Sequence, residues 1–141
     1  MRQVIQYLLL VAALALALAL ARCEGETIRN KDIIGTWVNE SGAEIHFKEN
    51  GRFSYRNLPT AIFHSDGVKV HVLISGDGDT WNLRLEDTGP SIYLEFYWID
   101  EIKRRLPEIL YVDGKTLYFT YVPDVKGAYA GRFYFEKKPE K

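Results

Sequence analysis

From residue 33 to residue 137 apolar and polar positions alternate in short runs. In Glu44-Ile45-His46-Phe47-Lys48 the apolar pair Ile45 and Phe47 points one way and the polar residues the other. Arg52-Phe53-Ser54-Tyr55-Arg56 repeats the pattern. Val68, Val70, Val72 and Ile74 make one face of the next run, and Trp81, Leu83 and Leu85 one face of another. Ile92, Leu94, Phe96 and Trp98 follow, then Leu110 and Val112, then Leu117, Phe119 and Tyr121, and finally Phe133 and Phe135. Side chains alternate across a strand and recur every 3.6 residues on a helix, so period two predicts strands throughout. With residues 33–38 at the start, about nine short strands are expected.

The punctuation agrees. Asn50-Gly51 and Asp113-Gly114 are hairpin signals, because both central residues of the favoured turn need positive φ. Pro59, Pro90, Pro107, Pro123 and Pro139 fall between runs, where no ladder hydrogen bond is lost. Gly76-Asp77-Gly78-Asp79 resembles a fragment of a calcium loop but lacks its further oxygen ligands, and it reads as a hairpin turn. Residues 100–106 read as a short helix or a charged loop ended by Pro107. Consecutive strands joined by tight turns predict an all-β, antiparallel up-and-down meander. Closure into a barrel of about eight or nine strands removes the exposed edges, and a β-sandwich is the alternative. Residues 57–67 and 122–131 are the longest connections without strand character.

The first 21 residues are of another kind. Arg2 precedes an apolar Leu/Ala run over residues 7–21 that ends in Ala19-Leu20-Ala21, a small-x-small cleavage pattern. This predicts a signal peptide (1–21), a polar tether (22–32) and a barrel domain (33–137). An exported protein of the periplasm or cell envelope follows, and an uncleaved membrane anchor is the alternative. The one cysteine, Cys23, has no partner for an internal disulfide. Leu20-Ala21-Arg22-Cys23 resembles the lipidation site of bacterial lipoproteins, with Arg22 where that site carries a small residue. Cys23 is therefore a candidate lipid attachment point, the only link to a membrane expected. The remaining domain of about 120 residues is large enough to hold together through its core. A net charge of −1, with basic residues scattered, argues against nucleic acid as a partner.

Three stretches carry a family resemblance: Ile34-Gly35-Thr36-Trp37; Glu49-Asn50-Gly51-Arg52-Phe53 followed by Asn57-Leu58-Pro59; and Leu117-Tyr118-Phe119-Thr120-Tyr121 with the closing Gly131-Arg132-Phe133-Tyr134-Phe135-Glu136-Lys137. In this order they resemble the small lipocalin-like domains of bacterial exported proteins and lipoproteins. The resemblance implies that Gly35 and Trp37 sit at the closed end of a barrel and that Arg132 packs across the Trp37 ring.

Candidate chemistry is sparse. His46 falls on a polar strand face, His64 and Asp66 in a loop, and His71 opposite Val70 and Val72. That is too few converging ligands for a metal. No Ser/His/Asp constellation is present, so neither enzyme activity nor a cofactor is expected. The remaining resource is aromatic. Tyr55, Tyr93, Tyr97, Tyr118 and Tyr121, with Glu95 between rings, are candidates for contacts to a ligand or partner, since Tyr and Trp dominate interface hot spots. The functional expectation is a non-enzymatic binding protein that takes a small apolar ligand in the barrel or a protein on its surface. The alternative is an inhibitor or immunity protein acting on an envelope or secreted hydrolase. An open interior favours the small ligand, a filled one the protein.

Overall fold

The computed structural model describes residues 1, 4–7, 11–13, 15, 27–63, 72–97, 105–120, 122 and 125–140. Among these, no helix is long and apolar enough to cross a membrane. A one-turn helix, α1 (Asn30–Ile33), precedes strands β1 (Gly35–Val38), β2 (Glu44–Phe47), β3 (Phe53–Pro59), β4 (Leu73–Glu86), β5 (Gly89–Phe96), β6 (Leu106–Asp113), β7 (Thr116–Phe119), β8 (Ala128–Tyr129) and β9 (Arg132–Lys137). All pair antiparallel in one sheet, in the order β1-β2-β3-β4-β5-β6-β7-β9-β8. β1 also pairs with β9, Trp37 opposite Lys137 and Val38 opposite Glu136, and the Lys138 N–H donates to the Thr36 carbonyl at 2.8 Å. An eight-stranded antiparallel barrel thus closes, with β8 as an added strand on β9, and the expected all-β meander forms.

Strand directions separate two ends. Tight turns at 48–52, 87–88 and 114–115 gather at one end, together with α1, while the connections 60–72, 97–105 and 120–131 gather at the other. The tight-turn end is stoppered by α1. Ile33 is fully buried, the Trp37 indole N–H donates to the Ile33 carbonyl at 2.7 Å, and the Lys137 ammonium donates to the Asp32 carbonyl at 2.9 Å. The loop end is stoppered by the chain after β3, where residues 58–63 are all buried and Phe63 meets Phe96 edge to face at 4.9 Å.

Three sequence expectations are corrected. Pro59, Pro90 and Pro107 do not fall between strands: Pro59 ends β3, and Pro90 and Pro107 are the second residues of β5 and β6. Gly76-Asp77-Gly78-Asp79 is no turn, because it lies inside β4, a single strand of 14 residues that replaces the two expected there. The glycines mark a close approach: a Cβ on Gly78 would collide with the Phe53 ring, and one on Gly76 would lie 3.3 Å from the Tyr55 hydroxyl. An extra residue bulges β3 between Tyr55 and Leu58, and another bulges β4 between Gly78 and Trp81. Its first half therefore pairs with β3 and its second half with β5. Residues 57–67 do not form a protruding loop over their described part, since 57–59 belong to β3 and 60–63 are buried. Residues 64–67, Val68, Val70, His64, Asp66, His71, Trp98 and the helix-or-loop segment over 100–104 lie outside the described residues.

One polar side chain locks the loop end. Asn39 is 6% exposed, and its amide donates to the carbonyls of Gly127 (2.9 Å) and Tyr134 (2.6 Å) while accepting from the Ser41 N–H at 2.7 Å. It ties the turn after β1 to the β8–β9 hairpin. Gly127, at φ +91°, can only be glycine, because a Cβ there would collide with the Asn39 side-chain oxygen.

Candidate functional site

Inward positions of the strands carry the large rings. Phe47, Phe53, Phe96, Phe119, Phe133 and Phe135 are each at most 1% exposed. They interlock edge to face or tilted, with Phe53–Phe96 at 5.0 Å, Phe47–Trp81 at 5.3 Å and Phe133–Phe135 at 5.3 Å. A side chain lining a water-sized void retains accessible surface, and these retain essentially none. The interior around them is filled, as expected of a small barrel. Tyr55 also points inward, 5.1 Å from Phe96 and 6.2 Å from Phe53. Burial raises its phenol above the ordinary value, and the nearby Asp77 charge adds to the shift.

The other described tyrosines of the barrel point outward. Strand register aligns Tyr111 of β6 with Tyr118 of β7, and Tyr118 with Tyr134 of β9, so three rings form a row across three strands. Tyr111 stacks on Tyr118 at 5.6 Å, and Tyr118 meets Tyr134 at 5.4 Å. The Arg132 guanidinium lies 4.7 Å from the Tyr118 ring centre and donates to the Tyr134 hydroxyl at 3.4 Å. That hydrogen bond, with the phenol dipoles beside it, raises the already high Arg132 value, so the cation stays charged.

Arg132 therefore does not cover Trp37, as the resemblance implied. It faces outward five residues up β9, while Lys137, directly opposite Trp37 in the register, places its ammonium 5.9 Å from the indole. Alternation along β9 explains the exchange: Phe133, Phe135 and Lys137 share the inner side, and Arg132, Tyr134 and Glu136 the outer. Gly35, at φ +122°, packs beside the Lys137 stem at the same end.

Tyr93, Glu95 and Tyr97 occupy the outer face of β5. Arg84 covers the Tyr93 ring at 3.7 Å, and the Tyr93 hydroxyl donates to Glu86 at 3.4 Å. Glu95 pairs with Arg105 at 3.3 Å. The Tyr97 hydroxyl accepts from Arg52 at 2.7 Å and donates to Asp79 at 2.9 Å, while Arg105 reaches the other Asp79 oxygen at 3.0 Å. Both oxygens of this buried carboxylate are engaged. The group works as a clasp joining the 48–52 turn, β4 and the two residues, Tyr97 and Arg105, that flank β5 and β6 at the loop end. Asp79 escaped sequence reading because its Gly-Asp context looked like a turn.

Among the described residues no group of three or more His, Cys, Asp or Glu side chains converges on a metal position. His46 is exposed, with its Nδ1 2.9 Å from the Thr36 hydroxyl. Tyr121 and Cys23 lie outside the described residues. An open groove of about 860 Å³ lies at the tight-turn end, lined by Ile28, Arg29, Trp37, Lys115, Glu136 and Lys137. Compared with known proteins, the chain matches no protein-family model, no curated protein and no solved structure.

Proposed function

We propose that this is an exported, non-enzymatic binding protein of the lipocalin-like kind that engages a protein partner on its outer face. The apolar leader and the residues around Cys23 support export, with a lipid anchor on Cys23 as the one tie to the membrane. The observation that carries the partner reading is the division of the aromatics: phenylalanines fill the interior, and Tyr111, Tyr118 and Tyr134 form a half-buried row outside, flanked by the exposed Arg132. A filled barrel has no room for an apolar ligand, whereas Tyr and Arg are the residue types that anchor protein interfaces. The contact surface is Tyr111, Tyr118, Tyr134 and Arg132, which already lie in fixed geometry and lose little freedom on binding. A partner that is an envelope hydrolase would make the protein an inhibitor or immunity protein through the same face.

The test has two arms. Protein purified without denaturation is weighed intact in native mass spectrometry, and an organic extract of it is examined for small molecules. The expected result is polypeptide alone, with an acyl-modified Cys23 if the anchor is present. Separately, wild-type and Tyr118→Ala proteins are used to capture partners from envelope extract, with identical folding checked by circular dichroism. A defined partner retained by wild type and lost in the variant supports the reading. A stoichiometric apolar molecule carried through purification overturns it.

A further inference from the structure

β4 is longer than its neighbour on one side, and this leaves an edge. β3 begins at Phe53, and the 48–52 turn reaches β4 only as far as Trp81, whose backbone N–H donates to the Gly51 carbonyl at 2.9 Å. Beyond Trp81, residues 82–86 pair with β5 alone among the described residues. The two-residue turn at 87–88 makes Glu86 and Gly89 a hydrogen-bonded pair, so Leu85 opposite Pro90 is a non-bonded one. Pro90 has no N–H to give, which agrees. The N–H and C=O groups of Leu83 and Leu85 therefore point away from β5, towards the same side on which Trp81 bonds Gly51. The Leu85 side chain is 61% exposed and lies near Thr27, Ile28 and Val112.

We infer that this edge pairs with the same edge of a second copy, antiparallel and centred on Leu85. Charge picks both the occupant and the register. Centring on Leu85 sets Arg84 opposite Glu86 of the partner, and Glu86 opposite Arg84 of the partner, giving two ion pairs on the outer face. Centring on Arg84 or on Glu86 would set like charges opposite each other. Centring on Leu83 would drive the partner into the 48–52 turn, which already occupies the Trp81 N–H. Neither Arg84 nor Glu86 has an ion-pair partner among the described residues. Each is instead oriented by Tyr93, Arg84 over its ring and Glu86 on its hydroxyl. The pairing is two-fold symmetric, as most homodimers are. It satisfies the Leu85 backbone groups and covers part of the exposed leucine. It stands independently of the partner proposed above, and it would place the outer faces of two barrels in one continuous sheet.

The edge is short, far below the roughly 1,200 Å² of a stable interface, so the dimer should form at concentrations on the order of 100 µM and dissociate near 1 µM. Sedimentation velocity over that range measures this on protein processed from the full chain. Arg84→Glu and Glu86→Arg should each weaken association by roughly tenfold or more, because each sets like charges together. An equimolar mixture of the two variants should restore it, since the carboxylate introduced at position 84 of one chain then meets the guanidinium introduced at position 86 of the other. The double variant should restore it alone. Leu85→Pro should abolish it without loss of the β4–β5 ladder, because that N–H serves only the edge. A sedimenting mass that stays monomeric at 1 mM, or a dimer indifferent to the single charge reversals and to Leu85→Pro, overturns the inference.

Discussion

Replacing Asn39 tests how the barrel's seam is held. β1 and β9 share two register pairs, and next to them the Asn39 amide spans to Gly127 and Tyr134 and accepts from Ser41. Asn39→Ala removes all three bonds and leaves two carbonyls and one N–H without partners in a nearly closed site. At about 1 kcal/mol for each bond, with a further desolvation cost for whatever water cannot reach, the loss is about 2–4 kcal/mol. That is a large part of a typical domain's 5–15 kcal/mol or so. In urea unfolding the midpoint should fall by roughly 1–2 M with an unchanged slope. Asn39→Asp sharpens the test. Its first oxygen still accepts from Ser41, but its second faces two carbonyl oxygens at donor distance. At neutral pH this variant should be no more stable than Asn39→Ala. Once protonated, the carboxyl can donate to one carbonyl, so the folded state binds this proton more tightly than the unfolded state does. The recovered stability is fully present below the unfolded value near 3.9 and is lost as pH rises through the higher folded value. Asn39→Ala within about 0.5 kcal/mol of wild type, or Asn39→Asp equal to wild type at pH 7, would refute the bolt.

Three other outcomes follow from packing and burial. Trp37→Ala empties a buried ring against α1 and breaks the indole bond to Ile33, and it should cost about 3–5 kcal/mol in urea unfolding. Gly78→Ala pushes a methyl group into the Phe53 ring, which is itself wedged against Phe96, and should cost about 1–3 kcal/mol in urea unfolding. The Tyr55 phenol, raised by burial and by the Asp77 charge, should titrate above the ordinary tyrosine value of about 10 when absorbance is followed. The unfolded chain gives up this proton first, so stability falls as pH rises past that value, and Tyr55→Phe should flatten the decline.

Much of this fold is legible in the chain because strands advertise themselves by period. Ile45, Phe47, Phe53, Ile92, Leu94, Phe96, Leu117, Phe119, Phe133 and Phe135 all fall inward as alternation requires. Turns form at Asn50-Gly51 and next to Asp113-Gly114, but only the glycines take positive φ, Gly51 at +76° and Gly114 at +57°, and the second turn centres on Gly114-Lys115, with Asp113 still paired to Thr116. Gly76-Asp77-Gly78-Asp79 misleads because glycine has two uses that composition cannot separate. It permits a turn, and it also permits a ring to lie against a strand. Only the position of Phe53 across β3 and β4 decides between them, and that is a fact about another part of the chain.

The site fails to show itself for a related reason. Period two tells which side of a strand Tyr111, Tyr118 and Tyr134 occupy, but not which of them stand opposite one another. A one-residue slip would turn a whole strand inside out and is excluded by its phenylalanines. A two-residue slip keeps every ring on its side and scatters the row. The Tyr111–Tyr118 pair is set by the Gly114-Lys115 turn, one residue later than the Asp113-Gly114 signal, since a two-residue hairpin leaves one register open. The Tyr118–Tyr134 pair is reached through the 120–131 connection, where the Val122 N–H donates to the Gly131 carbonyl at 2.9 Å, a contact that no sequence signal announces. There the closing pair of Trp37 with Lys137 and the Asn39 bolt hold β9 in place from the opposite side. The outer tyrosine row is thus a consequence of how the barrel shuts. A variant that loosens the seam without unfolding the sheet should therefore separate Tyr118 from Tyr134 before it disturbs Tyr111.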